Sequence, residues 1–481
     1  MSSLSNLTIH SIGGGWGKDV EDEGLELVAV IRGTDIPNLE INNIQGVPFR
    51  YETQKKIQSR LLQIGDLVIE ISGGSASSKQ RTGRCLYITD ELLKNLGGKV
   101  IPASFCKLLR LDRKKVNSKY VYYQIKAMHL SDEIASFENQ STGISNFQFN
   151  RFIDEIRPSI LDIEVQNKIV NFLEKIDLKI INNININQTL EQIAQTIFKS
   201  WFIDFDPVHA KANALASGQA AEQATQAAMA VISGKNTQEL HRLQTANPEQ
   251  YQQLWEIAEA FPSGFDEEGV PWGWEEKSFG ELLENTIGGD WGKDEVDEKH
   301  TEKVSILRGT DLPDVYKGND KDVPTRFVEQ KKLKSRKLQH SDIVIEVSGG
   351  SKNQPTGRSL LITDKLLSRF NNPIVPASFC RLFRPKSENY GYLLALHLQI
   401  IYQQGKTWEY QNQSTGISNF QTTHFLETEK VILPTNKTLM YFAEMVYPIF
   451  DKIYSNENQK LTEIRDELLP KLLSGEILNG N

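Results

Sequence analysis

Asn139-Gln140-Ser141-Thr142-Gly143-Ile144-Ser145-Asn146-Phe147 returns unchanged as Asn412-Gln413-Ser414-Thr415-Gly416-Ile417-Ser418-Asn419-Phe420. Further matches precede each copy in the same order. Glu70-Ile71-Ser72-Gly73-Gly74-Ser75 answers to Glu346-Val347-Ser348-Gly349-Gly350-Ser351, and Arg32-Gly33-Thr34-Asp35 to Arg308-Gly309-Thr310-Asp311. Ile12-Gly13-Gly14-Gly15-Trp16-Gly17-Lys18-Asp19 answers to Ile287-Gly288-Gly289-Asp290-Trp291-Gly292-Lys293-Asp294. Matched blocks separated by unlike sequence describe a duplicated domain, and a duplicated domain fits a two-part target.

At 481 residues, with 39% hydrophobic and 24% charged residues, the chain has an ordinary globular composition and the length of two or three domains. No apolar run approaches the ~20 residues of a membrane span. Met1-Ser2-Ser3-Leu4-Ser5-Asn6 lacks the basic and apolar segments of a signal peptide, so a cytoplasmic location is expected. Cys85, Cys106 and Cys380 are too few for a disulfide framework and form no CxxC pair. Cys106 and Cys380 close the matching stretches Pro102-Ala103-Ser104-Phe105-Cys106 and Pro376-Ala377-Ser378-Phe379-Cys380, and read as reduced thiols of buried strands. The formal net charge of -8 argues against indiscriminate coating of nucleic acid but leaves room for local basic faces. Basic residues cluster at Lys55, Lys56 and Arg60, at Lys79, Arg81 and Arg84, and at Lys331, Lys332, Lys334, Arg336 and Lys337.

The matched blocks place one domain at 1–157 and another at 265–433. Short β-branched runs end in glycine, as in Leu67-Val68-Ile69-Glu70-Ile71 before Ser72-Gly73-Gly74, and read as strands, while 119–134 reads as helix. Within 158–208, Ile169, Leu173, Ile176 and Ile180 alternate in steps of four and three, and Leu190, Ala194, Ile197 and Trp201 resume the phase of a coiled-coil seam. Asn183 and Asn187 fall in that seam. Either they set register in a continuous helix, or the asparagine-rich run breaks it. Residues 209–264 read as an Ala/Gln-rich helical connector. A second helix, in 434–481, carries Leu461, Ile464, Leu468 and Leu472 at seam spacing, with Pro448 expected to kink or divide it. The fold class expected is α+β: two similar mixed α/β domains separated by two long antiparallel coiled-coil helices. About 35 helical residues span roughly 50 Å, comparable to one or two turns of DNA.

Catalytic patterns fail on inspection. A phosphate loop needs glycine five residues before its Gly-Lys pair and serine or threonine after it, but Gly17-Lys18 has Ile12 and Asp19 there, and the second copy has Ile287 and Asp294. Asp66 with Glu70, and Asp342 with Glu346, are spaced like a nuclease carboxylate pair on one strand face, yet Ser72 and Ser348 occupy the place of the usual lysine. His129 and His397 recur in similar contexts, one per domain, as packing histidines would. No Ser/His/Asp pattern, metal-ligand cluster or Asn-Pro-Pro-Tyr-like tetrapeptide is found, and the chain reads as non-catalytic.

Ile197-Phe198-Lys199-Ser200-Trp201-Phe202-Ile203-Asp204-Phe205-Asp206-Pro207-Val208 closely resembles the central conserved segment of the specificity subunits of type I restriction-modification enzymes. Arg465-Asp466-Glu467-Leu468-Leu469-Pro470-Lys471-Leu472-Leu473-Ser474-Gly475-Glu476-Ile477 resembles that family's C-terminal segment. Pro271-Trp272-Gly273-Trp274-Glu275 is similar to the Pro-x-Gly-Trp that opens its target-recognition domains. The resemblance covers essentially the whole chain, although the first domain lacks such an opening and the connector is longer than a minimal one. It implies two target-recognition domains that read the halves of a split double-stranded DNA sequence, and conserved helices that act as a spacer docking two methyltransferase subunits. It also implies restriction/translocase subunits as partners and no cofactor on this chain, with S-adenosylmethionine, ATP and Mg²⁺ belonging to the partners.

Base edges are read by paired hydrogen bonds, chiefly arginine or lysine to guanine and asparagine or glutamine to adenine, while hydroxyls, backbone amides and cations hold phosphates. Candidate DNA contacts in the first domain are therefore Ser72, Ser75, Lys79, Arg81, Thr82 and Arg84, the loop of Asn139, Gln140, Ser141 and Asn146, and, more weakly, Trp16, Lys18, Arg32 and Thr34. Their counterparts are Ser348, Ser351, Lys352, Thr356, Arg358, Asn412, Gln413, Ser414, Asn419, Trp291, Lys293, Arg308 and Thr310. Trp201, Phe202, Phe205, Leu468 and Leu472 are candidates for spacer packing or subunit docking. Antiparallel spacer helices would relate the domains by an approximate twofold axis, so similar inverted half-sites are expected. Any asymmetry is expected where Ser75-Ala76-Ser77-Ser78-Lys79-Gln80-Arg81 gives way to Ser351-Lys352-Asn353-Gln354-Pro355. The alternative from another class is a non-catalytic protein-interaction scaffold with duplicated binding domains.

Overall fold

The computed structural model describes residues 3–75, 81–141, 144–158, 161–350, 354–414 and 417–476, with backbone alone at 74, 75, 140, 141, 144, 350, 413, 414 and 417. Helices and strands are mixed, and the chain divides into two units: Met1–Ile184 with Lys460–Asn481, and Asn185–Gln459.

In the first unit, Leu67–Glu70 lies inside an antiparallel four-stranded sheet, between Cys106–Leu111 and Cys85–Tyr87, with Thr8–Gly13 at the far edge. Its apolar run is continuous rather than alternating because both faces are covered. Leu67 and Ile69 join a core containing Leu109 and Tyr120, and Val68 joins another containing Leu86 and Leu108. A second sheet pairs Leu25–Ile31 antiparallel with Phe49–Thr53 and parallel with Val100–Pro102. A third consists of β1 (Ser72–Ser75), β2 (Glu138–Ser141) and β3 (Ile144–Phe147), with β3 central.

The second unit repeats this design. Its four-stranded sheet runs Leu283–Gly288, Cys380–Pro385, Ile343–Glu346, Ser359–Leu361, and its second sheet Thr325–Glu329, His300–Leu307, Ile374–Pro376. Its third consists of β4 (Ser348–Gly350), β5 (Gln411–Ser414) and β6 (Ile417–Phe420), again with the last strand central. It adds a pair, Glu275–Ser278 with Lys430–Leu433, after the Pro271-Trp272-Gly273-Trp274 opening. Trp274 is buried there among Phe202, Phe205 and Phe261.

Of the two readings of the asparagine run, the continuous one holds: α1 (Ile163–Phe202) passes through it without a break, and Asn183 is 3% exposed in the seam. The C-terminal segment is two helices, α2 (Asn436–Ile453) and α3 (Glu457–Leu473), parted at 454–456 rather than at Pro448, which α2 accommodates internally. In the first unit, Ile169, Val170 and Leu173 of α1 share a core with Leu469, Leu472 and Leu473 of α3, while the later Asp177 meets the earlier Arg465 at 2.8 Å, an antiparallel arrangement. Ile464 is 49% exposed, so the inward position belongs instead to Arg465, whose charge is matched by Asp177 and Asp466. In the second unit, Phe198, Trp201 and Phe202 of α1 surround Phe442 of α2, with ring centroids 6.1, 6.0 and 4.8 Å away.

The helix expected over 119–134 ends at Leu130, because Asp132 turns left-handed at φ 62° and leads into a 3₁₀ turn, Glu133–Phe137. Between α1 and the second strand domain lie four helices, Asp206–Ala216, Ala221–Ser233, Thr237–Ala246 and Pro248–Glu259. This connector has its own small core of Ala228, Met229, Leu240, Leu254 and Ala258. The buried Lys211 ammonium closes it by donating to the carbonyls of Ala258 and Phe261 at 3.1 and 2.6 Å, where a cation complements a helix C-terminus. All three cysteines are buried and free, and burial pushes the Cys106 thiol up to about 12. Among the described residues, no helix is long and apolar enough to cross a membrane.

Phe442 is fully buried at the meeting of α1 and α2. Phe442→Ala is expected to destabilise the protein by about 3–5 kcal/mol through a cavity in that aromatic cluster. Urea unfolding followed by tryptophan fluorescence should report it through Trp201 and Trp274, and an unshifted midpoint would contradict this packing.

Candidate nucleic-acid interface

The two loops singled out in each repeat form a single surface. In β1–β3, Asn146 is opposite both Ser72 and Asn139, so a row Ser72–Asn146–Asn139 crosses all three strands on one face. Both asparagines are exposed. In β4–β6 the same register gives Ser348–Asn419–Asn412, with both asparagines again exposed. A register shift beside the Gly-Gly pair occurs in each sheet, as a bulge would produce. The underside is aromatic. Phe152 sits 5.2 Å from Phe137, edge to face, and 5.1 Å from Phe147, while Phe425 sits 5.0 Å from Tyr410 and 5.1 Å from Phe420. Alternation along β3 and β6 thus points asparagine outward and phenylalanine inward.

Glu70 is the anchor beneath the row. Arg84 grips it with two hydrogen bonds of 2.8 and 2.6 Å, and Arg358 grips Glu346 with bonds of 2.8 and 2.5 Å. The hydrogen bonds to these carboxylates raise both arginine pKa values. A Cβ at Gly33 or Gly73 would lie 2.3 or 2.5 Å from the Glu70 carboxylate, which explains why Arg-Gly-Thr-Asp and Ser-Gly-Gly recur. Arg84 and Arg358 are therefore committed inside the domain. So are Thr82, whose amide and hydroxyl bond Glu138 at 2.5 and 2.8 Å, and Thr356, which bonds Gln411 at 3.1 and 3.2 Å.

The supports differ in one respect. Arg81 bonds Asp132 at 2.7 and 2.8 Å and Glu138 at 3.2 Å. In the second unit the corresponding positions are Pro355, Gly405 and Gln411, so the charged set is replaced as a whole. Lys79, Ser351 and Lys352 lie outside the described residues, as does most of the loop expected to carry asymmetry; Ser75, Gln140, Ser141, Gln413 and Ser414 are placed by backbone alone.

The weaker candidates belong elsewhere in each domain. Lys18 bridges Tyr51 at the edge of the second sheet and pairs with Asp22 at 2.8 Å, and Lys293 bridges Phe327. Trp16 and Trp291 are half exposed, each under an arginine, Arg50 at 4.3 Å and Arg326 at 4.5 Å. Arg32 and Arg308 fork onto Asp35 and Asp311 and also donate to the Gly46 and Asp322 carbonyls, leaving Thr34 and Thr310 exposed beside them. Asp290 stands where the first repeat has Gly15, because the partner of the helix lysine has moved. Lys56 pairs with Glu52, but Lys332 pairs with Asp290, and Val328 takes the place of Glu52.

Asp66 and Asp342 are buried and forked by Arg110 and Arg384, each bond 2.7 or 2.8 Å, and with Glu70 and Glu346 also paired, these carboxylates are structural. The two histidines are not equivalent. The residue three before the left-handed Asp132 is His129, but the residue three before the left-handed Gly405 is Tyr402. Burial lowers the pKa of His129, whereas His397 donates to Glu429 at 2.8 Å. Trp201 and Phe202 are consumed by the core of the second unit and Leu472 by that of the first, with Phe205 and Leu468 partly buried beside them, so these side chains serve packing more than docking.

Sequence reasoning missed the rim of the β1–β3 sheet. A cavity of about 500 Å³ there is lined by Ser72 and Asn146 together with Phe105, Lys107, Asn150 and Arg151. Lys107 lies over the Phe149 ring at 4.2 Å and is matched by Arg381 in the second unit. The repeat of Pro-Ala-Ser-Phe-Cys carries the signal, a phenylalanine just before the buried cysteine in both domains.

No family model matches the chain. The specificity subunit of the type I restriction enzyme HindI from Haemophilus influenzae is 34% identical over 339 residues, covering 68% of this chain and 70% of that protein. The MjaIX specificity subunit from Methanocaldococcus jannaschii is 26% identical over 376 residues, 75% of this chain and 69% of its own length. The solved S subunit of a type I restriction-modification system from M. genitalium aligns over 98% of this chain and 95% of its own, with 15% identity and a TM-score of 0.47.

Tyr410, in the ring cluster under β4–β6, donates to Glu429 at 2.5 Å. Burial alone would raise that carboxyl, but the bonds from His397, Lys406 and Tyr410 outweigh it and hold Glu429 at about 2, down from 4.5. A depressed folded-state value stabilises above the ordinary pKa and is lost as pH falls towards 2, about 3 kcal/mol in all. Acid unfolding between pH 4.5 and 2 should therefore be shallower in Glu429→Gln, and an unchanged acid limb would contradict the assignment.

Proposed function

The chain belongs to the specificity subunits of type I restriction enzymes, and we propose that its two similar domains read the two halves of a bipartite double-stranded DNA site. The observation that carries this is the row Ser72–Asn146–Asn139, a half-buried hydroxyl beside two exposed amides, rebuilt in the same register as Ser348–Asn419–Asn412 on an aromatic base. Asparagine offers a donor and an acceptor in the spacing that adenine presents in the major groove. Rigid backing keeps the entropic cost of docking low. Lys107 at the rim supplies positive charge for phosphates, while Arg151 beside it is paired with Glu155 at 2.8 Å.

In this reading the chain contributes recognition, and its partners contribute chemistry. Methylation with S-adenosylmethionine falls to two modification subunits, and ATP- and Mg²⁺-dependent translocation and cleavage fall to restriction subunits. Docking of the modification subunits is assigned to the exposed apolar side chains of α1, Phe172 and Leu178 in the first unit and Ile186 and Ile193 in the second. These have the free area that Trp201 and Phe202 lack.

Methylome sequencing of a host carrying this chain with its modification subunits is expected to return one two-part motif whose halves are similar and inverted. Unrelated halves would remove the symmetry, and the absence of any new motif would remove the recognition role. Asn139→Ala or Asn146→Ala should weaken binding about 5- to 150-fold and relax base preference in one half only.

A further inference from the structure

Phe105 and Phe379 are each 66% exposed, a large aromatic held in water at the same place in both domains. Their loops are rigidly held. Gly14 and Gly15 donate to the Cys106 and Pro102 carbonyls at 3.0 and 2.9 Å, and Gly289 and Asp290 donate to Cys380 and Pro376 at the same distances. A Cβ at Gly14 or Gly289 would lie 2.1 Å from the Ala103 or Ala377 carbonyl oxygen, so the opening glycine motif of each repeat exists to let this loop close. The phenylalanine carbonyl then accepts from the residue just before the amide row: Ile71 donates to Phe105 at 2.8 Å, and Val347 donates to Phe379 at 2.9 Å. In the first unit Phe105, Ser72 and Asn146 line one cavity.

Resting on the reading of this surface as a DNA interface, we propose that Phe105 and Phe379 are specificity-determining residues, each contacting the 5-methyl group of a thymine in its half-site. In the major groove an A·T pair presents the adenine amino group and N7 to an amide, and the thymine methyl to an apolar side chain beside it. An asparagine row flanked by a fixed, exposed phenylalanine offers both. The duplication of ring, exposure and clamp excludes an accident of one surface. Lys107, which lines the same cavity as Phe105, is suited to a flanking phosphate.

The test is a cycle between protein and DNA, using the full chain assembled with its modification subunits and a duplex carrying the motif found by methylome sequencing. Each thymine of the first half-site is replaced in turn by uracil, which removes only the methyl group. One replacement is expected to weaken binding to the wild type by about fourfold, the worth of one buried methyl. The same replacement should have no effect on Phe105→Ala, while Phe105→Leu should retain most of the methyl dependence. Phe379→Ala should abolish it for the other half-site alone. Because the ring is exposed, circular dichroism should show all three variants folded. Wild-type binding that is specific but indifferent to every uracil overturns the inference and leaves recognition standing. So does an equal methyl dependence in Phe105→Ala, or a thymine-independent loss with unstacking of a 2-aminopurine probe, the mark of a wedge. Absence of specific binding by the wild type overturns the recognition reading itself.

Discussion

Each domain depends on one buried ion pair, Glu70 with Arg84 and Glu346 with Arg358. A carboxylate withdrawn from water is tolerated only with its hydrogen bonds satisfied, and here two come from one guanidinium. The pair stands where the four-stranded sheet hands over to the three-stranded sheet, β1–β3 in the first unit and β4–β6 in the second. Glu70 ends its strand, its amide and carbonyl engage Arg84 and Gly83, and its carboxylate packs against Gly33 and Gly73. Remove the pairing and the 3₁₀ turn at Gly33–Asp35, the Ser72–Ser75 strand and the Thr82–Arg84 segment lose their common reference. The loops are thus tied to a sheet whose own faces are fully packed.

That scaffold is retained while its polar supports change in sets. In the first unit Arg81, Asp132 and Glu138 balance one another, and in the second Pro355, Gly405 and Gln411 do without charge altogether. Thr82 and Thr356 keep their bonds to position 138 or 411 in either version, so the outer strand stays in register. The exchange of Gly15 and Glu52 for Asp290 and Val328 obeys the same rule, because a lysine of the following helix must find one carboxylate. A charge can move or vanish only together with its partner. The asparagines of the two rows are exposed and need no charged partner, Asn412 accepting from Gln421 at 2.6 Å, and they are the same in both halves.

The repeat made the duplication, the strands and the polar candidates legible, since glycine breaks and β-branched runs act locally. It did not show that the two polar loops were strands of one sheet, because that depends on pairing between Ser72 and Asn146, far apart in the chain. Nor did it separate committed from free side chains. Arg84 and Asn139 look equally able to meet DNA until Glu70 is found to hold the first. Matching by local context equated His129 with His397, an error that only the left-handed residues Asp132 and Gly405 expose. The seam was read correctly along α1 but placed Ile464 inward on α3, because a buried arginine with two carboxylate partners has no signature in an apolar period.

The helices add a constraint of a different kind. α1 gives its first half to one unit and its second to the other, and the first unit is completed by α3 from the far end of the chain. During synthesis Ile169, Val170 and Leu173 emerge long before Leu469, Leu472 and Leu473, so the first unit must wait with an apolar face uncovered. The second unit waits only for α2, which follows it directly. Closing the longer loop costs more conformational entropy and leaves more time for wrong pairings. A seam of leucines alone would accept any partner in that interval. A buried asparagine in such a seam gives up stability and restricts which pairings the helix accepts, and Asn183 occupies that kind of place on α1, 3% exposed.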